Sequence, residues 1–420
     1  MVNVVMKGET MIERIIQFGE GNFLRGFIEP LIQSLHDQGT YDGSVVMIQP
    51  QKSGRIKELQ VNHNQYHCLV RGVFQEEVFD KIIPIRIVSR GIDPYVQWDE
   101  FISLANQPQI EVVISNTTES GIIFNQDDQK DQVASTFPGK LTQLLWQRYQ
   151  HNLSGWLHLP CELIDNNGEI LRATVIKYAK YWKYPDDFIQ WIEEYNVFAN
   201  TLVDRIVSGY PHQEIEIMRQ RIGYDDPNLV ATEVFHFWAI QGYFDYILPF
   251  SKHPNVLYTG DIAPYKKRKV RILNGAHTAL VSYALLKGYT EVKETLDNPE
   301  IFDWLKEIIF DEIIPSLDLD HEMLIEFAFN TLERFKNPFI HHQLSSIALN
   351  TFDKFKVRVI PSMVQYHQKK GYYPPKLMEA FDAFYELYQT KNVQDTEYAK
   401  EYMKSHTKEE VFDYLCSFIQ

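Results

Sequence analysis

Ile15-Ile16-Gln17-Phe18 runs directly into Gly19-Glu20-Gly21-Asn22-Phe23-Leu24-Arg25-Gly26, and this junction decides how the rest of the chain is read. A short β-branched and aromatic run bounded by glycine reads as a buried strand, and the segment after it as the start of a helix. In a strand-turn-helix unit built for a dinucleotide, the first glycine permits the tight bend and the second lets a pyrophosphate approach the backbone. The first helical amides then direct partial positive charge toward it. Gly19 and Gly21 meet these needs. The third glycine of the G-x-G-x-x-G pattern would stand at position 24, which is Leu24 here, with Gly26 two residues later, so helix and strand should pack differently at that point.

A ribose-binding acid is expected about 20 residues further on, at the end of a second strand. That place reads Met47-Ile48-Gln49-Pro50-Gln51-Lys52, with no carboxylate. Gln49 can exchange hydrogen bonds with a ribose hydroxyl, while Lys52 or Arg55 can equally meet a 2′-phosphate. Residue types alone leave NAD against NADP open.

Working outward, Arg14–Phe18, Ser44–Ile48 and Glu111–Ser115 are β-branched runs separated by amphipathic segments, the pattern of βα units on a parallel sheet. Of the 20 glycines, 19 lie at or before Gly288, and only Gly371 follows. A glycine-poor stretch suits long helices, and Ile301–Ile314, His321–Phe335 and Lys376–Tyr388 carry apolar residues at helical spacing. Asn298-Pro299, Asn337-Pro338 and Pro374-Pro375 punctuate them. The seam falls in His253–Lys267, around Pro254, Gly260 and Pro264. The expected architecture is α/β: a Rossmann-type dinucleotide-binding domain over residues 12–255, followed by a mostly α-helical domain over 264–420. Pro30 falls inside the first helix and predicts a late start or a kink there.

The 420 residues carry 41 Lys plus Arg against 56 Asp plus Glu, a net charge of −15, which argues against nucleic-acid and anionic-membrane partners. Any anionic ligand needs a local positive site. Three isolated cysteines, Cys68, Cys161 and Cys416, fit a reducing compartment and disfavour a thiolate metal site. The leading MVNVVMKGETMIERI lacks a signal-peptide core, and no run reaches the ~18 apolar residues of a membrane helix, so a cytoplasmic location is expected.

Lys269-Val270-Arg271-Ile272-Leu273-Asn274-Gly275-Ala276-His277 sets up a K-x4-N-x2-H spacing. At about 100° per helical residue, Asn274 and His277 lie roughly 60° apart, and Lys269 falls about 80° from His277 on its other side. All three can then face one space. They comprise a possible base, an amide to orient an oxygen and an imidazole to position or relay. A solvated basic run, Lys266–Lys269, and an ordinary helical histidine make up the competing reading. Catalysis requires the lysine to lose its proton near neutral pH, with Lys267, Arg268 and Arg271 as neighbouring charge. Asp204-Arg205 reads as a structural ion pair, and no cysteine nucleophile is expected.

Gly19-Glu20-Gly21-Asn22-Phe23-Leu24-Arg25 together with Lys269, Asn274 and His277 resembles the mannitol dehydrogenase family of long-chain, polyol-specific dehydrogenases. Further motifs carry the resemblance from about Arg14 to about Pro361: Ser115-Asn116-Thr117-Thr118-Glu119, Pro160-Cys161-Glu162-Leu163-Ile164-Asp165, Leu202-Val203-Asp204-Arg205-Ile206 and Asn274-Gly275-Ala276-His277-Thr278-Ala279-Leu280. The resemblance implies NAD as cofactor, no metal, and a cleft between two domains where hydride passes between nicotinamide and a sugar carbon. Phe18, Gly19, Glu20, Gly21, Asn22, Phe23, Gln49, Asn116 and Thr117 are its expected cofactor contacts. Lys269 is then the acid–base residue, Asn274 and Asn167 hold the reacting oxygen, and His277 binds a substrate hydroxyl. Polyol-acting members carry acids after a Trp-x-x motif, where this chain has Phe237-Trp238-Ala239-Ile240-Gln241-Gly242. An acid missing at Gln241 favours a carboxylate substrate, the bland alternative being a Trp-anchored helix end. Lys354, Lys356 and Arg358 lie where the family places basic residues, and Lys354 and Arg358 are expected to meet such a carboxylate. The expected activity is NAD-dependent oxidation and reduction of a small sugar acid, its rival a non-catalytic dinucleotide-binding regulator.

Overall fold

The structure, a computed structural model, describes residues 11–118 and 121–419. Met1–Thr10, where a signal peptide was judged absent, and Glu119 of the Ser115–Glu119 motif lie outside the described residues. The chain forms two units, one of residues up to Val70 with Asp80–Ile262, the other of Arg71–Phe79 with Ala263 onward. The break at Ile262 falls within the expected seam, whereas inclusion of Arg71–Phe79 in the second unit has no signature in the sequence.

Six parallel strands organise the first unit: β1 (Ile12–Phe18), β2 (Gly43–Ile48), β3 (Val88–Ile92), β4 (Val112–Ser115), β5 (Leu157–Pro160) and β6 (Val197–Phe198). Their order is β3-β2-β1-β4-β5-β6, the doubly wound arrangement whose ligand crevice opens where the order reverses, between β1 and β4. The strands read as continuous apolar runs because helices cover both faces. Ile16, Phe18, Val46, Ile48 and Val113 share one core with Phe101, Leu141, Leu144, Trp156, Val175 and Phe188. Register then places the crevice: Phe18 pairs with Ile48 on one side and Ser115 on the other. Gly19, Gln49 and Asn116 therefore leave the sheet side by side.

The first helix starts directly after Gly21 and spans Asn22–Asp37, passing through Pro30 without the late start or break that proline predicts. The physical reason is a tertiary replacement. Pro30 has no N–H to give the carbonyl of Gly26, and the buried Arg205 donates to that oxygen from Nη1 at 2.8 Å. Arg205 is held by the Glu233 carbonyl, at 3.0 Å from Nε and 2.8 Å from Nη2, and by His236 at 3.0 Å. Arg205 does not make the ion pair with Asp204 that the sequence suggested; its guanidinium goes to backbone carbonyls and to His236 instead. Gly26 has its own reason: a Cβ there would stand 3.0 Å from the Val207 side chain, on the strand Val207–Gly209. The close-packing glycine has moved from position 24 to 26, and Leu24 is buried in the turn.

Phe237–Gln241 is a strand, not a helix end, lying between Thr201–Asp204 and Val256–Thr259 in a three-stranded sheet with Trp238 fully buried. The second unit is helical. Asn298 caps the helix Pro299–Glu307, Asp320 caps His321–Phe335, and Thr407 with Glu410 forms a capping box for Lys408–Cys416. Gly371, at φ +83°, ends Ile360–Lys370 in the left-handed conformation glycine adopts freely. The helix Gly275–Leu286 buries Ala276, Ala279, Leu280, Val281 and Ala284, as a helix enclosed on all sides must. No described helix is long and apolar enough to cross a membrane.

Gly19 and Gly21 should respond differently to alanine. At Gly19, φ is +119° and a Cβ would stand 2.8 Å from the Asn116 carbonyl oxygen, so Gly19→Ala should cost at least about 1–3 kcal/mol. At Gly21, φ is −67° and a Cβ meets nothing within 4 Å, so Gly21→Ala should stay within about 1 kcal/mol. Urea unfolding of both variants checks this; equal losses would refute it.

Candidate active site

Gly19 makes the bend at the end of β1, its N–H donating to the Ile48 carbonyl at 3.0 Å. Gly21 follows as the cap of the first helix, and no side chain caps the first-turn amides. Uncapped amides beside an open space suit a pyrophosphate. Two polar residues inside the turn stiffen it. Gln17 Nε2 donates to the Gly19 carbonyl at 2.9 Å and to Glu29 at 2.8 Å. Arg25, 1% exposed, donates to the Glu20 carbonyl at 3.0 Å, to Asn22 Oδ1 at 2.7 Å and to the Asn228 carbonyl. Neither was singled out from sequence, although a polar residue within an otherwise apolar strand end was the available signal.

The other expected cofactor residues divide by what their side chains do. The Phe18 ring is fully buried against Phe137 and Phe101, with centroids 4.8 and 6.1 Å away. The side chain builds the core beneath the turn, which leaves only the Phe18 backbone to meet a dinucleotide. Phe23 stacks on Phe27 at 5.0 Å. Gln49 is 3% exposed and commits its Nε2 to the carbonyls of Gln51 and Lys52, at 3.0 and 3.4 Å, so it shapes its loop. Glu20 reaches that same loop, its Oε1 accepting from the Arg55 N–H at 3.2 Å, and burial raises its pKa.

At the end of β4, Asn116 donates from Nδ2 to the Cys161 carbonyl at 2.7 Å, and Thr117 gives both its N–H and its hydroxyl to Glu162 Oε1, each at 3.0 Å. Ser115 donates to Glu162 Oε2 at 3.0 Å. Glu162 is therefore a buried carboxylate that holds the β4 loop by three donors, though burial still raises its pKa overall. Beside this loop lies a cavity of about 340 Å³ bordered by Pro50, Gln51, Thr117, Phe124 and Phe137.

Asn167 requires a correction. It is 1% exposed, and Nδ2 lies 2.9, 3.2 and 3.1 Å from the carbonyls of Pro160, Glu162 and Thr201. Its Oδ1 accepts from the N–H groups of Gly168 and Thr201, both at 2.9 Å. An amide with two hydrogens has none to spare here for a reacting oxygen. Gln241 connects to the same network: its Oε1 accepts from Asn200 at 3.2 Å, and Asn200 Oδ1 accepts from Gly168 N–H at 3.0 Å.

In the second unit, Lys269–Asn274 is a π-helical turn inserted between the α-helices Ala263–Arg268 and Gly275–Leu286. This departs from the uniform 100° spacing. Bonding from i to i+5 widens the turn, so residues five apart stack much as residues four apart do in an α-helix. Lys269 and Asn274 are such a pair, and the wide turn brings them onto one face. The side-chain amide of Asn274 takes no partner among the described residues, its carbonyl accepting from Thr278 at 2.8 Å. Arg271, expected near Lys269 as neighbouring charge, instead donates to Ser362 at 2.8 Å and Gln365 at 2.7 Å.

His277 stacks on Phe335, centroids 3.9 Å apart, and its buried Nε2 has no hydrogen-bond partner. Burial, with His342, Arg334 and Arg358 nearby, pushes its pKa well below the usual range and keeps the imidazole neutral. The basic residues separate. Lys354 donates to the Ile347 carbonyl at 2.9 Å and Lys356 pairs with Asp353 at 3.1 Å, whereas Arg358, half-buried, has only Thr278 Oγ1 at 3.5 Å. Burial lowers its pKa with no carboxylate beside it.

The chain matches the mannitol dehydrogenase Rossmann domain over residues 13–246 and the mannitol dehydrogenase C-terminal domain over 261–413. It is 43% identical over 390 residues to the altronate oxidoreductase of Yersinia enterocolitica, covering 91% of this chain and 81% of that protein. To the Bacillus subtilis altronate oxidoreductase it is 42% identical over 387 residues, covering 90% and 80%. Among solved structures, D-sorbitol dehydrogenase in substrate-free form superposes with a TM-score of 0.81 at 19% identity, covering 97% of this chain and 92% of that one. Pseudomonas fluorescens mannitol 2-dehydrogenase, in complex with NAD and D-mannitol, gives 0.71 at 20% identity, covering 97% and 86%. With both family domains spanning nearly its whole length, the chain belongs to the mannitol dehydrogenase family.

Proposed function

We propose that this chain interconverts D-tagaturonate and D-altronate by NAD-dependent hydride transfer, a step of hexuronate breakdown. Relatedness to altronate oxidoreductases at 42–43% identity over nine-tenths of the chain carries the reading. Arg358 supports it from the site, as a half-buried guanidinium without an acid is suited to a substrate carboxylate.

The turn at Gly19 and Gly21 and the uncapped helix start after it would hold NADH, which when bound would supply a hydride for the ketone carbon. Lys269 holds the ketone oxygen and delivers the proton that turns the developing alkoxide into a hydroxyl; in the oxidation direction it removes that proton. Asn274, with its amide uncommitted, donates to the same oxygen and stabilises the charge as it forms. His277 offers its unpartnered Nε2 to a substrate hydroxyl. Asn167 fixes the Pro160 and Thr201 backbone within the first unit. The loop after β2 supports NAD over NADP. Glu20 adds negative charge there, and Arg55 is already paired with Glu58 at 2.7 Å, an arrangement that opposes a 2′-phosphate.

Purified protein given NADH and D-tagaturonate should consume nicotinamide absorbance; consumption only with D-fructuronate would move the substrate to the diastereomeric pair. Lys269→Ala should retain NADH binding by fluorescence titration while kcat falls by about 10²–10⁴, the usual worth of an acid–base group; unchanged turnover would end the proton-transfer role. Glu20→Gln should narrow the preference for NADH over NADPH in kcat/KM ratios, and an unaltered ratio would remove Glu20 from cofactor choice.

A further inference from the structure

His342 belongs to none of the motifs, yet it stands beside the proposed substrate group. Its ring lies 5.7 Å from that of His277, edge-on at 71°. Its side chain, like His277 Nε2, makes no hydrogen bond among the described residues. The backbone holds it firmly: the His342 carbonyl accepts from Val292 N–H at 3.0 Å, and its N–H donates to the Ile340 carbonyl at 3.1 Å. Asn337 anchors the start of this loop, accepting from Phe339 N–H at 3.0 Å. The ring is therefore presented by an ordered segment.

The two imidazoles lie side by side, with Arg334 near both and Arg358 near His277, and this set can divide the work of recognition. Burial, and then Arg334, push the His342 pKa down, so His342 is neutral as His277 is. A neutral imidazole offers one N–H and one lone pair, the complement of a hydroxyl, whereas a carboxylate is better met by the guanidinium. A pair of such rings suits two adjacent hydroxyls on a sugar chain.

We propose that His342 is a substrate-binding residue that grips the hydroxyls of the sugar acid together with His277, leaving the carboxylate to Arg358. This rests on the reading of Lys269, Asn274 and His277 as the reaction site. The test is a KM-against-kcat comparison of wild type, His342→Phe, His342→Gln and Arg358→Gln with D-tagaturonate and with the uncharged keto-hexose D-tagatose, following NADH. His342→Phe keeps an aromatic ring against His277 but loses the N–H. It should raise the KM for both sugars about tenfold, the worth of a lost hydrogen bond, with a smaller change in kcat and none in the KM for NADH. His342→Gln should recover part of the loss, and Arg358→Gln should raise the KM for tagaturonate alone. A His342→Phe enzyme with wild-type sugar KM, or with an equal rise in the NADH KM, overturns the proposal. A wild type that reduces tagatose but not tagaturonate overturns the uronate assignment instead, and the His342 comparison is then decided on tagatose.

Discussion

Backbone groups removed from water must find partners, and the architecture of this chain follows from how that requirement is met. Pro30 leaves the Gly26 carbonyl without its helical donor, a deficit of about 1–3 kcal/mol if left open, and Arg205 crosses from another segment to fill it. Asn167 satisfies three carbonyls and two amides at the end of β5, and Glu162 gathers three donors from β4. The Asn167 and Glu162 bonds keep the loops after β5 and β4 in place, the latter beside the point where the strand order reverses. Against that background the groups left uncommitted stand out: the first-turn amides after Gly21, the Asn274 amide, His277 Nε2 and the Arg358 guanidinium.

Charge follows the same logic. A chain of net charge −15 repels a dinucleotide and a sugar acid at long range, so attraction has to be local. The helix start supplies it in one unit without a formal charge, and Arg358 supplies it in the other. Desolvation keeps His277 neutral among its basic neighbours, so it adds hydrogen-bonding capacity without a further buried cation.

Much of the fold was legible because short-range patterns carry it. The apolar strand run into Gly19 and Gly21 and the helix start at Asn298 and Pro299 act within a few residues, and each appears where the spacing predicts. Part of the candidate site was legible for the same reason: Lys269, Asn274 and His277 are close in sequence. The angular relation among them was not, because a π-turn depends on how the surrounding helices pack and has no signature in residue type.

Phe18 and Asn167 show the opposite limit. Both were placed by motif position, and both side chains point into packed interior, since a motif records which residues occur and not which atoms face a ligand. His342 was invisible because its proximity to His277 is made across 65 residues by the packing of separate helices and a loop. By itself, then, the sequence determined the parallel sheet, the glycine turn, the helical second half and the lysine–asparagine–histidine group, all governed by local propensity and periodicity. Only the tertiary structure decided which polar atoms are spent and which remain, because hydrogen-bond satisfaction is settled by neighbours brought from distant parts of the chain.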